Sequence, residues 1–303
     1  MVPISRILAP VDFSDRCLGM MPYVRLIAEL YGAEVILFHV VDPVYVIQQI
    51  HRRLCEGHTD VVPEIQVSKP LRVPQWILTE RVKQLEGFAA CELQNLPVRC
   101  LVYDGDPETQ IAAFVQSEDV QLIVMPTHGY GVLRRYLIGS VTSKVLHDVS
   151  CPVLTGVHLE EQVPLRRKRL SVIVCAVDLR SHSRDTLAWA SRFAHDLRAR
   201  LSIVHVVPSV TPGLHASLSS KVRLESEEMA RKDVEKVQKQ AGAASVEVRI
   251  REGDVAREVC SFAQSIGADL LVIGRSASDH EIGRLRTNAY AIIRQAACPV
   301  LSV

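Results

Sequence analysis

A chain of 303 residues with 48% hydrophobic and 23% charged content has enough apolar material for one large core or two ordinary ones, and two domains of about 150 residues fit better. Lys and Arg number 35 against 34 Asp and Glu, a formal net charge of +1, so there is no global field to draw in nucleic acid or an anionic membrane and any anion site must be local. The N-terminal M-V-P-I-S-R-I-L-A-P-V-D lacks a basic stretch followed by a long apolar one, no segment approaches 18 uninterrupted apolar residues, and the eight scattered cysteines include no Cys-x-x-Cys; together these predict a soluble, cytoplasmic protein with reduced thiols.

In chain order, the apolar runs 7–11, 34–41, 98–103, 120–125 and 152–157 predict strands. Between the first two, apolar positions 18, 21, 24, 27, 28 and 31 follow helical spacing until Gly32 ends the helix. Helices are predicted over 76–96 and 107–117, the latter opening with Pro107 in its first turn. Residues 43–75 form an insertion after the second strand. Within it His51, Cys55 and His58 stand at i, i+4 and i+7 and, with Asp60, have the chemistry of a zinc tetrahedron; Gly57 interrupts the helix this requires, and a solvated or interface face is the plainer reading.

Alternating strands and helices with continuously apolar strands predict α/β domains, each a doubly wound parallel sheet covered on both faces, Rossmann-like with a flavodoxin-type strand order. In such sheets ligands bind beyond the carboxyl ends of the strands, where the winding reverses. That selects the loops after strands one and four, Pro10–Ser14 and Pro126–Ser140.

The same unit is written twice. I-L-A-P-V-D ends at Asp12 and V-I-V-C-A-V-D at Asp178; His39 and His205 each stand 27 residues further on; Gly105 precedes Pro126 by 21 residues, as Gly253 precedes Gly274; and each half closes on C-P-V-L, at 151–154 and 298–301. The organisation is a domain over 1–157, a linker over 158–169 and a second domain over 170–303. The linker's Arg166-Arg167-Lys168-Arg169 reads as a solvated connector, lacking aromatic neighbours for nucleic acid. The apolar terminal strands need cover, which predicts that the halves pair as an intrachain pseudo-dimer, with further homo-oligomerisation left open.

The loop after strand four has two readings. Gly129 and Gly139-Ser140-Val141 fit a phosphate cradle opening onto a helix N-terminus, with Arg134 and Arg135 as cationic cover; the same residues also fit an ordinary turn and an N-cap serine. The wider pattern decides more. Val-Asp after strand one, His-Val ending strand two, Thr127-His128-Gly129, nine residues, Gly139-Ser140-Val141 and the closing C-P-V-L resemble the universal stress protein family over both halves. Nucleotide-binding members of that family carry G-x2-G-x9-G-[S/T], of which three of four positions match here.

The resemblance implies an ATP site, with a divalent cation, built from Pro10, Asp12, Val40, Met125, Thr127, Gly129, Gly139, Ser140 and Val141. Asp12 would bond the ribose or adenine end, Val40 would meet adenine through its backbone, and Gly129, Gly139, Ser140 and Val141 would hold ribose and phosphates. The departure is Pro126 at the first glycine position, which removes an N–H and fixes φ. The second half departs further, with Ala277 at a glycine position and Arg286-Thr287-Asn288 opposite Gly139-Ser140-Val141, leaving Arg275, Arg284 and Arg286 to attract an anion; it is expected to be a degenerate site. The implied function is a stress-response regulator binding ATP with at most slow hydrolysis. The alternative is a nucleotide-free scaffold for protein interactions. An adenylating enzyme is disfavoured because A-P-V-D-F-S after strand one is no Ser/Gly-rich pyrophosphate loop.

Overall fold

The computed structural model describes residues 4–44, 46, 72–128, 138–156, 170–207, 216–275 and 287–303. The His51, Cys55 and His58 triad, Gly129, Arg134, Arg135, the linker 158–169, Ala277, Arg284 and Arg286 lie outside the described residues.

The first half runs β1 (Arg6–Pro10), α1 (Asp15–Tyr31), β2 (Glu34–Val41), α2 (Gln75–Glu92), β3 (Val98–Asp104), α3 (Pro107–Ser117), β4 (Leu122–Pro126), α4 (Ser140–Asp148) and β5 (Val153–Gly156). The second repeats it as β6 (Val172–Ala176), α5 (Ser183–Leu197), β7 (Arg200–Val207), α6 (Ala216–Gln240), β8 (Glu247–Glu252), α7 (Val255–Ser265), β9 (Leu270–Ile273), α8 (Thr287–Gln295) and β10 (Val300–Ser302). Local chemistry accounts for the boundaries. Gly32 closes α1 in the left-handed region at φ 63°, and Asp106 caps α3 by accepting from the Thr109 amide at 2.9 Å ahead of Pro107. Asp254 caps α7 in the same way, accepting from the Arg257 amide at 2.9 Å.

All ten strands form one sheet, in the order β3-β2-β1-β4-β5-β10-β9-β6-β7-β8. Pairing is parallel within each half and antiparallel between β5 and β10. The fold class and the pseudo-dimer are therefore as expected, but the strand order is not flavodoxin-type. Each half has the 3-2-1-4-5 order of the Rossmann fold without its sixth strand, because the chain leaving β2 crosses outward to β3 instead of back over β1, a direction that hydrophobic periodicity does not encode. The winding reverses between β1 and β4, so the loops after these two strands share one crevice.

The ladder joining the halves has a pseudo-two-fold axis. Leu154 and Leu301 occupy equivalent places in the repeated C-P-V-L and face each other directly, flanked by Val300 with Thr155 and Ser302 with Val153. Such reciprocity is the mark of an isologous contact, here made within one chain. On one face of the sheet α1, α2, α5 and α6 cover a core that crosses the ladder, and Tyr31 Oη donates to Asp196 Oδ2 at 2.8 Å with the Tyr31 and Phe193 rings stacked at 6.4 Å. On the other, α3, α4, α7 and α8 cover a second core, and Ser143 meets Tyr290 on the axis, hydroxyl to hydroxyl at 2.9 Å.

Leu154→Ala and Leu301→Ala should each destabilise the protein by about 2–5 kcal/mol in urea unfolding, as buried Leu truncations do. Because the two side chains are neighbours, the double variant should depart from additivity by roughly 0.5 kcal/mol or more. Strictly additive costs would show that the two halves do not meet on this axis.

Candidate functional site

The crevice is organised first by the turn after β1. Phe13 sits at φ 63°, a left-handed conformation that a bulky side chain adopts only under compulsion. Asp12 supplies it: Oδ1 accepts from the Ser14 amide at 2.9 Å and from the Cys17 thiol at 3.0 Å. The second half repeats the device, with Leu179 at φ 60° and Asp178 Oδ1 accepting from the Arg180 amide at 3.1 Å and the Ser183 hydroxyl at 2.9 Å. Ser14 stands at the N-cap of α1 but makes no side-chain cap bond. Burial, and then the charge of Asp12, push the Cys17 thiol up to about 12, so it remains a protonated donor.

His39, at the end of β2, has Nδ1 2.7 Å from the Val11 carbonyl, which can only accept; Nδ1 therefore carries the proton. Its ring lies 4.7 Å from that of Phe13, and burial holds its pKa below the ordinary imidazole value despite the Val11 bond.

Five of the anticipated residues, Pro10, Asp12, Val40, Met125 and Val141, line one cleft of about 160 Å³ over β1 and β4. Cys17, His39, Pro126 and His128 are also on its walls, with Phe38 and Ile111 among the apolar ones. The loop returning to α4 behaves differently from its motif. Thr127 is buried, and its hydroxyl donates to the Gly156 carbonyl at 3.2 Å and lies 3.0 Å from His128 Nδ1. Gly139 is the N-cap of α4, and its amide is spent on the Thr127 carbonyl at 2.7 Å. A Cβ there would lie 3.2 Å from that same carbonyl oxygen, which explains a small residue without invoking a ligand. Ser140 is exposed at the first helical position, so the amides free to meet an anion are those of the first turn, Ser140 and Val141. Thr142 ties the helix to β4 by donating to the Pro126 carbonyl at 2.9 Å.

The corresponding cleft of the second half is larger, about 390 Å³. Val204, Val259 and Gly274 stand where the first half has Phe38, Ile111 and Pro126, and smaller side chains leave more room. A Cβ at 274 would come within 2.8 Å of Thr186 Oγ1, so any larger residue there would require Thr186 to move. Asp178, His205 and Asn288 provide polar groups, with Arg180, His182 and Arg275 also on its walls. Cys17 escaped the sequence reading, although the repeat carried the signal: it stands five residues after Asp12, as Ser183 does after Asp178, and both donate to that carboxylate.

A family model described as the universal stress protein family matches residues 58–155 and 170–303. The chain belongs to this family. Among curated relatives, a universal stress protein of Methanocaldococcus jannaschii is 28% identical over 155 residues, covering 50% of this chain and 94% of that one. Another, from Synechocystis, is 34% identical over 95 residues, 30% of each chain. Among solved structures, a universal stress protein from Archaeoglobus fulgidus superposes with a TM-score of 0.63 at 18% identity, over 98% of this chain and 95% of that one. A protein of unknown function from Pseudomonas aeruginosa gives 0.63 at 17% identity, over 99% and 92%. These likenesses extend the universal stress protein fold across both halves. Among the described residues, no helix is long and apolar enough to cross a membrane and no group of three or more metal-ligating side chains occurs.

The depressed pKa of His39 has a thermodynamic signature. The unfolded chain takes up a proton near the ordinary pKa of about 6.5, whereas the folded protein resists until lower pH, so folding loses stability as pH falls through that window. Comparing urea unfolding at about pH 7.5 and about pH 5, His39→Gln should lose less stability than the parent protein. An identical loss in both would show that His39 ionises as freely folded as unfolded.

Proposed function

We propose that this universal stress protein is a stress-response regulator that binds an adenine nucleotide, ATP with a divalent cation on its phosphates, in its first half. The observation that carries the reading is the meeting of Pro10, Asp12, Val40, Met125 and Val141 in one cleft at the winding reversal, with the first turn of α4 opening onto it. Asp12 spends Oδ1 inside its own turn, which leaves Oδ2 for ribose hydroxyls. The first-turn amides and the helix dipole suit phosphate. Turnover is at most slow, since His39 is neutral and held on a backbone carbonyl and Cys17 is a protonated thiol, neither placed to activate water.

Against tight binding stands the size of this cleft, below the roughly 300 Å³ at which small-molecule sites usually begin. Pro126 contributes to the shortfall, because its ring lines the wall and it has no N–H to offer. A second reading therefore has one observation behind it: the roomier second-half cleft, with Gly274 at the position of Pro126, takes the nucleotide in addition or instead.

Calorimetric titration separates these. Under the first reading, ATP binds with one equivalent per chain and Gly139→Arg abolishes it, with circular dichroism confirming that the fold survives the 3.2 Å contact at Thr127. Retained stoichiometric binding in Gly139→Arg would place the ligand in the second half. Pro126→Gly should tighten binding by about tenfold or more, because a recovered hydrogen bond to a charged group contributes roughly 1.5–3 kcal/mol. If neither parent nor Pro126→Gly binds any adenine nucleotide, the protein is a scaffold for protein interactions.

A further inference from the structure

Arg275 directly follows Gly274 beyond β9, and its amide donates to the Val303 carbonyl at 2.7 Å. Its side chain leaves its own half. Nη1 donates to the carbonyls of Leu146 at 3.2 Å and Val149 at 3.0 Å, and Nη2 to that of Cys151. All three acceptors belong to the first half, at the end of α4 and in the turn that enters β5. The last carbonyls of a helix lack intrahelical donors and carry partial negative charge, so a guanidinium there both satisfies them and complements the dipole. Among the described residues Arg275 forms no salt bridge, and these carbonyls are its polar partners.

The helix it holds is short. α4 has nine residues, and the end opposite Arg275 carries the amides of Ser140 and Val141. A segment of two and a half turns moves as a rigid rod, so fixing its carboxyl end fixes where its amino end points. A second contact from the second half, Tyr290 on Ser143, holds its middle. The relation is one-way. The residue of the first half that occupies the place of Arg275 is Thr127, and its hydroxyl stays at home on Gly156.

We propose that Arg275 is a positioning residue for the first-half nucleotide site. By holding the carboxyl end of α4 from the other half, it sets the position of the Ser140 and Val141 amides, so the second half acts as a structural determinant of phosphate affinity in the first. The role in nucleotide affinity rests on the function proposed above; the mechanical hold on α4 does not.

The test uses the full chain with Arg275→Met and Arg275→Lys. Hydrogen exchange without nucleotide reads the hold: amides of residues 143–149 should exchange roughly tenfold faster in Arg275→Met, with β1 and β4 amides unchanged as internal controls, and Arg275→Lys, which presents a point charge but no fork, should fall between. Once Gly139→Arg has been shown to abolish ATP binding, which excludes the second-half cleft that Arg275 also lines, ATP titration reads the consequence: Kd should rise by about tenfold in Arg275→Met and less in Arg275→Lys. Should Arg275→Met fail to fold, Arg275→Lys against the parent carries both comparisons. Unchanged exchange in residues 143–149 would overturn the hold, and faster exchange with unchanged ATP affinity would overturn the positioning role. A parent protein that binds no ATP would overturn both the nucleotide reading and the role built on it, while the exchange experiment would still decide whether Arg275 holds α4.

Discussion

Each half, taken alone, ends in a short apolar strand whose outer edge would offer unpaired amides and carbonyls to any passing strand. The antiparallel ladder between β5 and β10 satisfies both edges at once. Its register also decides everything that crosses from one half to the other. With Leu154 against Leu301, α1 falls beside α5, close enough for Tyr31 to reach Asp196, and α4 falls beside α8, close enough for Ser143 to reach Tyr290. Side chains alternate faces along each strand, so a slip of one residue would set Leu154 and Leu301 against residues meant for the opposite layer and separate these pairs. Both hydrophobic layers consequently run through the junction without a seam, and the ten strands behave as one sheet.

Within that shared frame the two crevices have diverged in opposite directions. The first keeps the glycine-serine helix start at the expected spacing, yet Phe38, Ile111 and Pro126 fill the space beneath it. The second keeps the space and has Arg286 in the sequence place of Gly139. What both retain is the strained turn, Phe13 and Leu179 in the left-handed region, each held by the aspartate before it. A conformation costing on the order of 1–3 kcal/mol is maintained twice, which ties Asp12 and Asp178 to backbone architecture whatever else they bind.

Much of the architecture was legible in the residues because it rests on periodicity. The duplication, the strand at 34–41, the helix at 107–117 and the pairing of terminal edges follow from apolar spacing, turn residues and repeated landmarks. Strand order was not, since an amphipathic helix packs equally well on either side of β1 and its pattern does not record which way the crossover runs. At the site, the residues at strand ends were legible because topology alone brings Pro10, Asp12 and Met125 together. The loop was not. Thr127 and Gly139 fit a phosphate motif by spacing, but hydrogen bonds to Gly156 and to each other consume their polar groups. Spacing gives position along the chain and is silent about which way a hydroxyl or an amide faces. Arg275 was legible only in part: it does line the second-half cleft, as a cationic side chain near a suspected anion site suggests, but its hydrogen bonds go to three carbonyls of the other half, over 120 residues away in sequence.

The meeting of Ser143 with Tyr290 has a consequence for how such a protein is able to change. In a two-fold assembly of identical subunits, a residue on the axis must face itself, so every substitution there happens twice and must be self-complementary. Joining the halves covalently lifts that requirement. A small hydroxyl on one side can be matched by a long phenol on the other, and one side alone can extend an arginine across the boundary. The two surfaces can then specialise as lock and key, and their effective concentration for each other does not fall when the protein is diluted.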